Sequence, residues 1–262
     1  MLDLLRDVAA EVINPRFRAL AAGEIHEKRP GDLVTDADRE AEVLITDALL
    51  AAYPDAVVLG EEAHSAQPAL MQRYAAADHA FTVDPVDGTK NFVRGSKDHA
   101  VMASEIRSGQ VVRAWIWQPQ HDLGYVAELG GGTWRHSPSG TERLTVPPAP
   151  EGAPLRGRTS RRSWIGASPA GLSPLALTWV SCGIDYPKVV EGAADYVLYH
   201  HALPWDHVPG SLLLAEAGGV VGTPAGHPYG PRDLAPRGLV AAGDRTAYGR
   251  VCDALEQSDH LR

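Results

Sequence analysis

Apolar positions recur at helical spacing from the first residues. Leu2, Leu5, Ala9, Val12, Ile13, Phe17 and Leu20 fall on one face, which predicts an opening amphipathic helix that Pro15 kinks or interrupts. Thr35 reads as the N-cap of a second helix running to residue 52, with Ala37, Ala41, Leu44, Ile45, Ala48 and Ala52 on one face and Pro54 beyond its end. A strand over 56–59, a helix over 69–77 and a strand over 80–83 come next, the last delivering the chain to Asp84-Pro85. From 99 to 135 the pattern changes to apolar segments separated by Ser108-Gly109, by 119–122 and by 130–132, the signature of an antiparallel meander.

The proline-rich stretch 146–154 and the Arg-rich segment that follows read as a surface connection. They divide the chain into an α+β sub-domain over 1–150, holding the antiparallel sheet, and an α/β sub-domain over 151–262. Downstream, the pattern predicts strands over 177–182, 196–199 and 238–242, alternating with helices over 185–192, 206–217 and 245–256.

Composition narrows the function. The chain has 262 residues, enough for a large core, and its net charge of −9 gives no general attraction to nucleic acid or to an anionic membrane. A small-molecule partner is expected. Cys182 and Cys252 are the only cysteines; both sit in apolar segments, which reads as packing in a reducing cytoplasm rather than a disulfide framework. Asp3, Arg6, Asp7 and Glu11 interrupt the N-terminal segment, so no signal peptide is expected. The apolar run 211–222, broken by Glu216, falls well short of the roughly 20 residues of a membrane span.

The chemistry is concentrated where a strand ends in Asp84-Pro85-Val86-Asp87-Gly88-Thr89-Lys90-Asn91-Phe92. Two acids flanking a Pro-Val pair can converge on one hard cation, and Gly88 lets a phosphate approach the backbone. A helix starting at Thr89 or Lys90 would offer that phosphate its free N–H groups. Spacing alone also allows Asp87-Gly88 to be ordinary turn chemistry. Gly60-Glu61-Glu62 puts another acid pair after a strand, where solvated charge is the usual account. Asp206 of Trp205-Asp206 has the position of a helix N-cap, and the Thr35/Asp38 pair has the form of a capping box.

Together these segments resemble the inositol monophosphatase family. The resemblance rests on four elements in family order: Asp32-Leu33-Val34-Thr35-Asp36-Ala37-Asp38; Gly60-Glu61-Glu62; Asp84 to Phe92; and Trp205-Asp206, leading to Glu216-Ala217-Gly218-Gly219. It implies a layered αβαβα fold, a homodimer, activation by Mg²⁺ with two or three ions, and inhibition by lithium. It further implies metal ligation by Glu61, Asp84, Asp87, Asp206 and the Val86 carbonyl. Asp38 and Thr89 would orient and deprotonate the attacking water, while Gly88 and Thr89 would offer N–H groups to the phosphate. An all-oxygen ligand set without clustered Cys or His favours Mg²⁺ or Mn²⁺ over zinc.

The expected reaction is hydrolysis of a small phosphate monoester by direct attack of a metal-activated water, because no Ser, Cys or His stands in a nucleophile setting. Inositol monophosphate or a similar metabolite is the expected substrate, with histidinol phosphate, nucleotide and sugar bisphosphates as relatives' alternatives. Family members that prefer inositol phosphates carry a glutamate seven residues before the Trp-Asp aspartate. Here Tyr199 stands there, which donates one hydrogen bond but lacks the acceptor carboxylate. Lys90 adds positive charge near the phosphate or is simply solvated, while Arg158, Arg161 and Arg162 read as a solvated loop, with contact to a second phosphate as the alternative. Of the 11 histidines, His200, His201 and His207 lie near Asp206 and read as surface or supporting groups. A non-catalytic regulatory binding protein on the same fold is the alternative of another class.

Overall fold

The structure, a computed structural model, describes residues 1–149, 152–234 and 238–258. The opening helix is shorter than its periodicity predicts: α1 (Leu2–Val8) widens into a π turn over Ala9–Ile13 and tightens into a 3₁₀ turn over Asn14–Arg16. Pro15 has no N–H to give the preceding turn and crowds its carbonyls, so the regular ladder ends ahead of it. A hairpin that the hydrophobic pattern does not announce follows, β1 (Ile25–Arg29) against β2 (Asp32–Thr35). Gly31 supplies the positive φ of its turn. Helix α2 (Asp36–Ala52) then starts at Thr35 as expected.

A seven-stranded sheet has the order β3 (Val57–Gly60), β4 (His79–Asp87), β5 (Ala100–Arg107), β6 (Gln110–Gln118), β7 (Leu123–Glu128), β8 (Gly132–Ser137) and β9 (Gly140–Leu144). β3 and β4 are parallel, and the rest is the predicted meander, extended to residue 144. Helices α3 (Glu61–Ala66) and α4 (Leu70–Ala76) connect β3 to β4, and the single turn α5 (Thr89–Val93) follows β4. β4 runs four residues past the predicted strand, through Asp84-Pro85 to Asp87, with an irregularity against β5 between Asp84 and Asp87. Pro85 cannot donate to the ladder, so it sits where the pairing is already broken.

Alternation along the strands builds two cores. Val101, Ala103, Trp115 and Trp117 face α1 and α2, while Ala100, Met102, Ala114 and Ile116 face the opposite way. That second face packs on α6 (Cys182–Val190) and α7 (Pro204–Glu216), which also cover Val197, Tyr199, Leu239 and Ala241 of a five-stranded sheet. This sheet has the order β11 (Ala176–Leu177), β10 (Gly157–Thr159), β12 (Tyr196–Tyr199), β14 (Leu239–Ala242), β13 (Val220–Gly222). Its outer face carries α8 (Arg245–Glu256), with Tyr196, Leu198, Val240 and Ala242 against Tyr248 and Val251. The layers therefore run helix, sheet, helix, sheet, helix, as the resemblance implied. Residues 150 and 151, where the sequence places the sub-domain boundary, lie outside the described residues.

One predicted element changes type. The strand expected over 177–182 is confined to Ala176–Leu177, and Cys182 opens α6 three residues before the predicted helix start. The cause is tertiary: the Asp87 carboxylate, at the end of β4, accepts the Ser181 hydroxyl and the N–H groups of Cys182 and Gly183, at 3.0 and 2.7 Å for the amides. A side chain from another layer thus caps α6.

The central helical layer depends on a close approach. A Cβ on Gly210 of α7 would lie 2.1 Å from Cδ2 of the fully buried Tyr186 on α6. Gly210→Ala should therefore force the two helices apart and cost about 1–3 kcal/mol. In urea unfolding this is read as a lower midpoint at unchanged slope; an unchanged midpoint would mean that the layer yields without strain.

Candidate active site

Strand ends and helix starts converge at one edge of the large sheet. β3 ends at Gly60, so Glu61 opens α3; β4 ends in Asp84, Val86 and Asp87; Gly88 turns the chain at φ +84° into α5; and Asp206 is the third residue of α7. A Cβ at Gly88 would meet Ser181 Cβ at 2.9 Å, so glycine is required there by space as well as by φ. Every residue of the expected metal and water-activating set stands at this junction.

Asp38 serves two roles, one with each oxygen. Its Oδ2 accepts from the Thr35 N–H at 2.9 Å and the Thr35 hydroxyl at 2.5 Å, completing the capping box of α2. Its Oδ1 accepts from the Thr89 hydroxyl at 3.1 Å, and that hydroxyl also lies 3.0 Å from the Val86 carbonyl. Capping therefore orients the carboxylate that faces Thr89. Burial raises the Asp38 pKa to about 6.

The remaining acids lie in one another's fields. Burial, then the charges of Glu61, Asp87 and Asp206, push Asp84 well above the carboxylate range, and its Oδ1 is buried without a hydrogen-bond partner. Asp206 is raised well above its ordinary value by burial and by Glu61 and Asp87, with Asp84 beside it. Burial raises Glu61 to about 7, opposed by the Lys28 ammonium. Asp87 is raised by burial, against the three donors at the start of α6. Such a set cannot hold full charge without compensating cations. Asp84 Oδ1, an orphaned acceptor among oxygen donors, is the group a bound cation would satisfy, so the residues fit a hard divalent ion.

Several supporting residues were not legible in advance. Lys28, carried in by the unpredicted hairpin, donates to Glu61 at 2.5 Å and Glu62 at 2.9 Å. Glu42 of α2 accepts from the Glu62 and Ala63 amides at 2.8 and 2.7 Å, capping α3 from outside it. Asn91 donates to the carbonyls of Asp98 and Trp179 at 2.7 and 2.8 Å, which holds the loop before α6. In that loop Val180 has φ +63°, a strained conformation for a β-branched residue that persists only under such restraint. Ser181, at the N-cap position, carried a readable helix-start signal; the others depend on long-range contacts.

One donor atom each from Asp87, Asp206 and Cys182 fall within 4.8 Å of one another. Cys182, taken for a packed strand residue, stands in the site because its segment is a helix start. Lys90 is exposed on α5. Tyr199 is 5% exposed, stacked on Tyr186 at 5.5 Å and edge-on to His207 at 4.5 Å. His207 bridges the Tyr186 hydroxyl and the His201 carbonyl, and burial lowers its pKa to about 4; it is a neutral supporting group. Arg158 lies 3.6 Å from the Trp179 ring centre and donates to the Leu177 carbonyl. A cavity of 1320 Å³ elsewhere, between β12 and α8, is bordered by Tyr199 but by none of the clustered carboxylates.

A model of the Inositol monophosphatase family matches residues 2–260. An inositol-1-monophosphatase of Mesorhizobium japonicum is 31% identical over 240 residues, 88% of this chain and 85% of its own length. The Nus factor SuhB of Escherichia coli is 26% identical over 262 residues, covering 97% and 94%. Among solved structures, a Thermotoga maritima IMPase superposes with a TM-score of 0.78 at 23% identity over 98% of this chain and 96% of its own, a likeness of fold.

The raised carboxylates predict a linkage. Protonated acids must ionise to take up a cation, so Mg²⁺ binding releases protons and strengthens as pH rises. The gain in Tm on adding Mg²⁺ at fixed concentration should grow from pH 5 to pH 8, through the value near 7 of Glu61. Differential scanning calorimetry with and without Mg²⁺ reads it; a gain independent of pH would contradict the carboxylate cluster as the cation site.

Proposed function

Because this chain belongs to the inositol monophosphatase family, whose members hydrolyse phosphate esters and are generally metal-dependent, we propose that it is a Mg²⁺-dependent phosphatase of small phosphate monoesters. The observation that carries this reading is the buried carboxylate set around the unpartnered Asp84 Oδ1. Glu61, Asp84, Asp87, Asp206 and the Val86 carbonyl would hold two or three ions, Mg²⁺ by preference and Mn²⁺ as a substitute, with lithium an inhibitor. Bound there, such ions supply Lewis-acid stabilisation of phosphate and alkoxide charge and lower the pKa of a bound water.

The chain's own residues do the rest. Helix geometry leaves the first N–H groups of α5 free for phosphate oxygens, at Gly88 and Thr89, with Lys90 adding positive charge at the rim. The Thr89 hydroxyl, already donating to Asp38 Oδ1, can accept from the attacking water and relay its proton to that carboxylate. The water oxygen forms the new bond to phosphorus while the ester oxygen departs and is reprotonated from solvent. Asp38 must be ionised to act, so its pKa of about 6 sets an acidic limb.

The substrate is an inositol monophosphate or a similar phosphorylated metabolite. Tyr199, in place of the acceptor carboxylate, weakens the preference for vicinal hydroxyls, which keeps histidinol phosphate and nucleotide or sugar bisphosphates in the set to be assayed. A homodimer in a cytoplasmic setting completes the proposal; among the described residues no helix is long and apolar enough to cross a membrane. The name of the Escherichia coli relative, a Nus factor, favours one second reading: a regulatory protein whose partner contacts do not need the acid cluster.

Phosphate release from a panel of these esters, with Mg²⁺ and with chelator, should single out one substrate. Asp84→Asn should lower its kcat/KM by at least about 10²-fold with the circular dichroism spectrum unchanged. Below about pH 6 the wild-type kcat/KM should fall, and Asp38→Asn should remove about 10²–10⁴-fold. No metal-dependent release from any ester, with a partner retained by Asp84→Asn, would give the regulatory reading precedence.

A further inference from the structure

Cys182 is the one donor of the cluster that hydrolysis leaves without a role. Its thiol sulfur and one carboxylate oxygen each from Asp87 and Asp206 all fall within 4.8 Å of one another. The backbone fixes this juxtaposition: the Cys182 N–H donates to Asp87 Oδ1 at 3.0 Å, and Gly183 N–H and the Ser181 hydroxyl hold Oδ2 of the same carboxylate. These bonds hold the backbone of Cys182 beside Asp87, and the thiol turns about χ1 from that fixed point. Beside Asp206 stands Asp84, 1% exposed, with Oδ1 buried and unpartnered. That acceptor points independently to a cation.

One sulfur among carboxylate oxygens changes which cations the site prefers. Mg²⁺ is a hard ion that takes oxygen donors in an octahedral arrangement and gains nothing from a thiolate. A borderline or soft ion of the zinc class binds sulfur at about 2.3 Å and oxygen at about 2.0–2.2 Å, so tetrahedral donors stand about 3.5 Å apart. The three atoms here lie within 4.8 Å of one another, a span compatible with closure to that spacing by side-chain rotation.

We propose that Cys182, Asp87 and Asp206 form a site for a thiophilic divalent cation, of which Zn²⁺ and Cd²⁺ are the types, overlapping the hard-cation centre and competing with it. This rests on the reading of the same acids as a cation cluster. On binding, the thiol proton passes to solvent and a sulfur–metal bond forms. Asp87 and Asp206 are then withdrawn from the hard ions, so thiophilic cations act as inhibitors that a chelator reverses.

The test needs no substrate. The purified, metal-free chain is titrated with Co²⁺ and followed by near-ultraviolet absorption for a sulfur-to-cobalt charge-transfer band, and ¹¹³Cd²⁺ is followed by NMR. The wild type should give a saturable band that excess Mg²⁺ diminishes. Cys252→Ser should retain it, since that thiol lies on α8 beside the Thr223 carbonyl, and Cys182→Ser should abolish it. Loss of an outer-sphere partner alone costs about 10–100-fold in metal affinity, so removing a ligating sulfur should weaken Cd²⁺ by at least tenfold. A wild type without the band, or a band that survives in Cys182→Ser, overturns the proposal. Should Cys182→Ser fail to fold, the ¹¹³Cd resonance of the wild type decides: a shift in the sulfur-ligated range supports the site, and one in the all-oxygen range refutes it. Mg²⁺-dependent phosphate release by the same preparation is scored separately, so absence of the band with activity intact refutes the thiophilic site alone.

Discussion

Burial of clustered carboxylates is the constraint around which this molecule is organised. Burial displaces Glu61, Asp84, Asp87 and Asp206 toward the protonated form, and the charges of neighbouring acids add to it at Glu61, Asp84 and Asp206. Without partners such a set would be strongly destabilising. Lys28 meets part of the cost at Glu61, the start of α6 meets part at Asp87, and what remains, above all at Asp84, is a demand for cations. Binding of a metal and stability of the fold are therefore one problem here.

The helix starts are the structural answer. α3, α5, α6 and α7 all begin at this junction, so their first N–H groups and positive ends face the acids. Two of these starts are capped by carboxylates from elsewhere in the chain, Glu42 for α3 and Asp87 for α6. Asp87 has the further consequence of joining the end of the large sheet to the helical layer beneath it. A substitution there would disturb the site and the packing of the layers together.

The backbone is tightest at the same place. Gly88 has no room for a Cβ, and Val180 sits at positive φ beneath the Asn91 side chain, with Ser181 and Cys182 immediately following. Strain of this kind is held by surrounding hydrogen bonds rather than by local preference. It is the geometry that turns a short segment into a helix start aimed at Asp87, and it places a thiol where composition alone suggests a packed apolar residue.

What the sequence determined by itself was local. Periodicity placed α2, β12 and α8 and the meander because each reports its own buried face, and the acids at strand ends were legible because turn chemistry and motif wording are local too. The candidate ligand set was legible only as a set, through the resemblance, since the wording around a single aspartate does not separate a cap from a candidate ligand. Only the tertiary structure decided the rest. The β1–β2 hairpin that brings in Lys28 has little buried face to announce it, and α6 begins at Cys182 because an aspartate from another layer caps it. Asp38 proved to serve as both cap and partner of Thr89, because a carboxylate has two oxygens and the fold directs them to different neighbours. Each of these depends on atoms far apart in the chain, where burial and hydrogen bonding override the pattern along it.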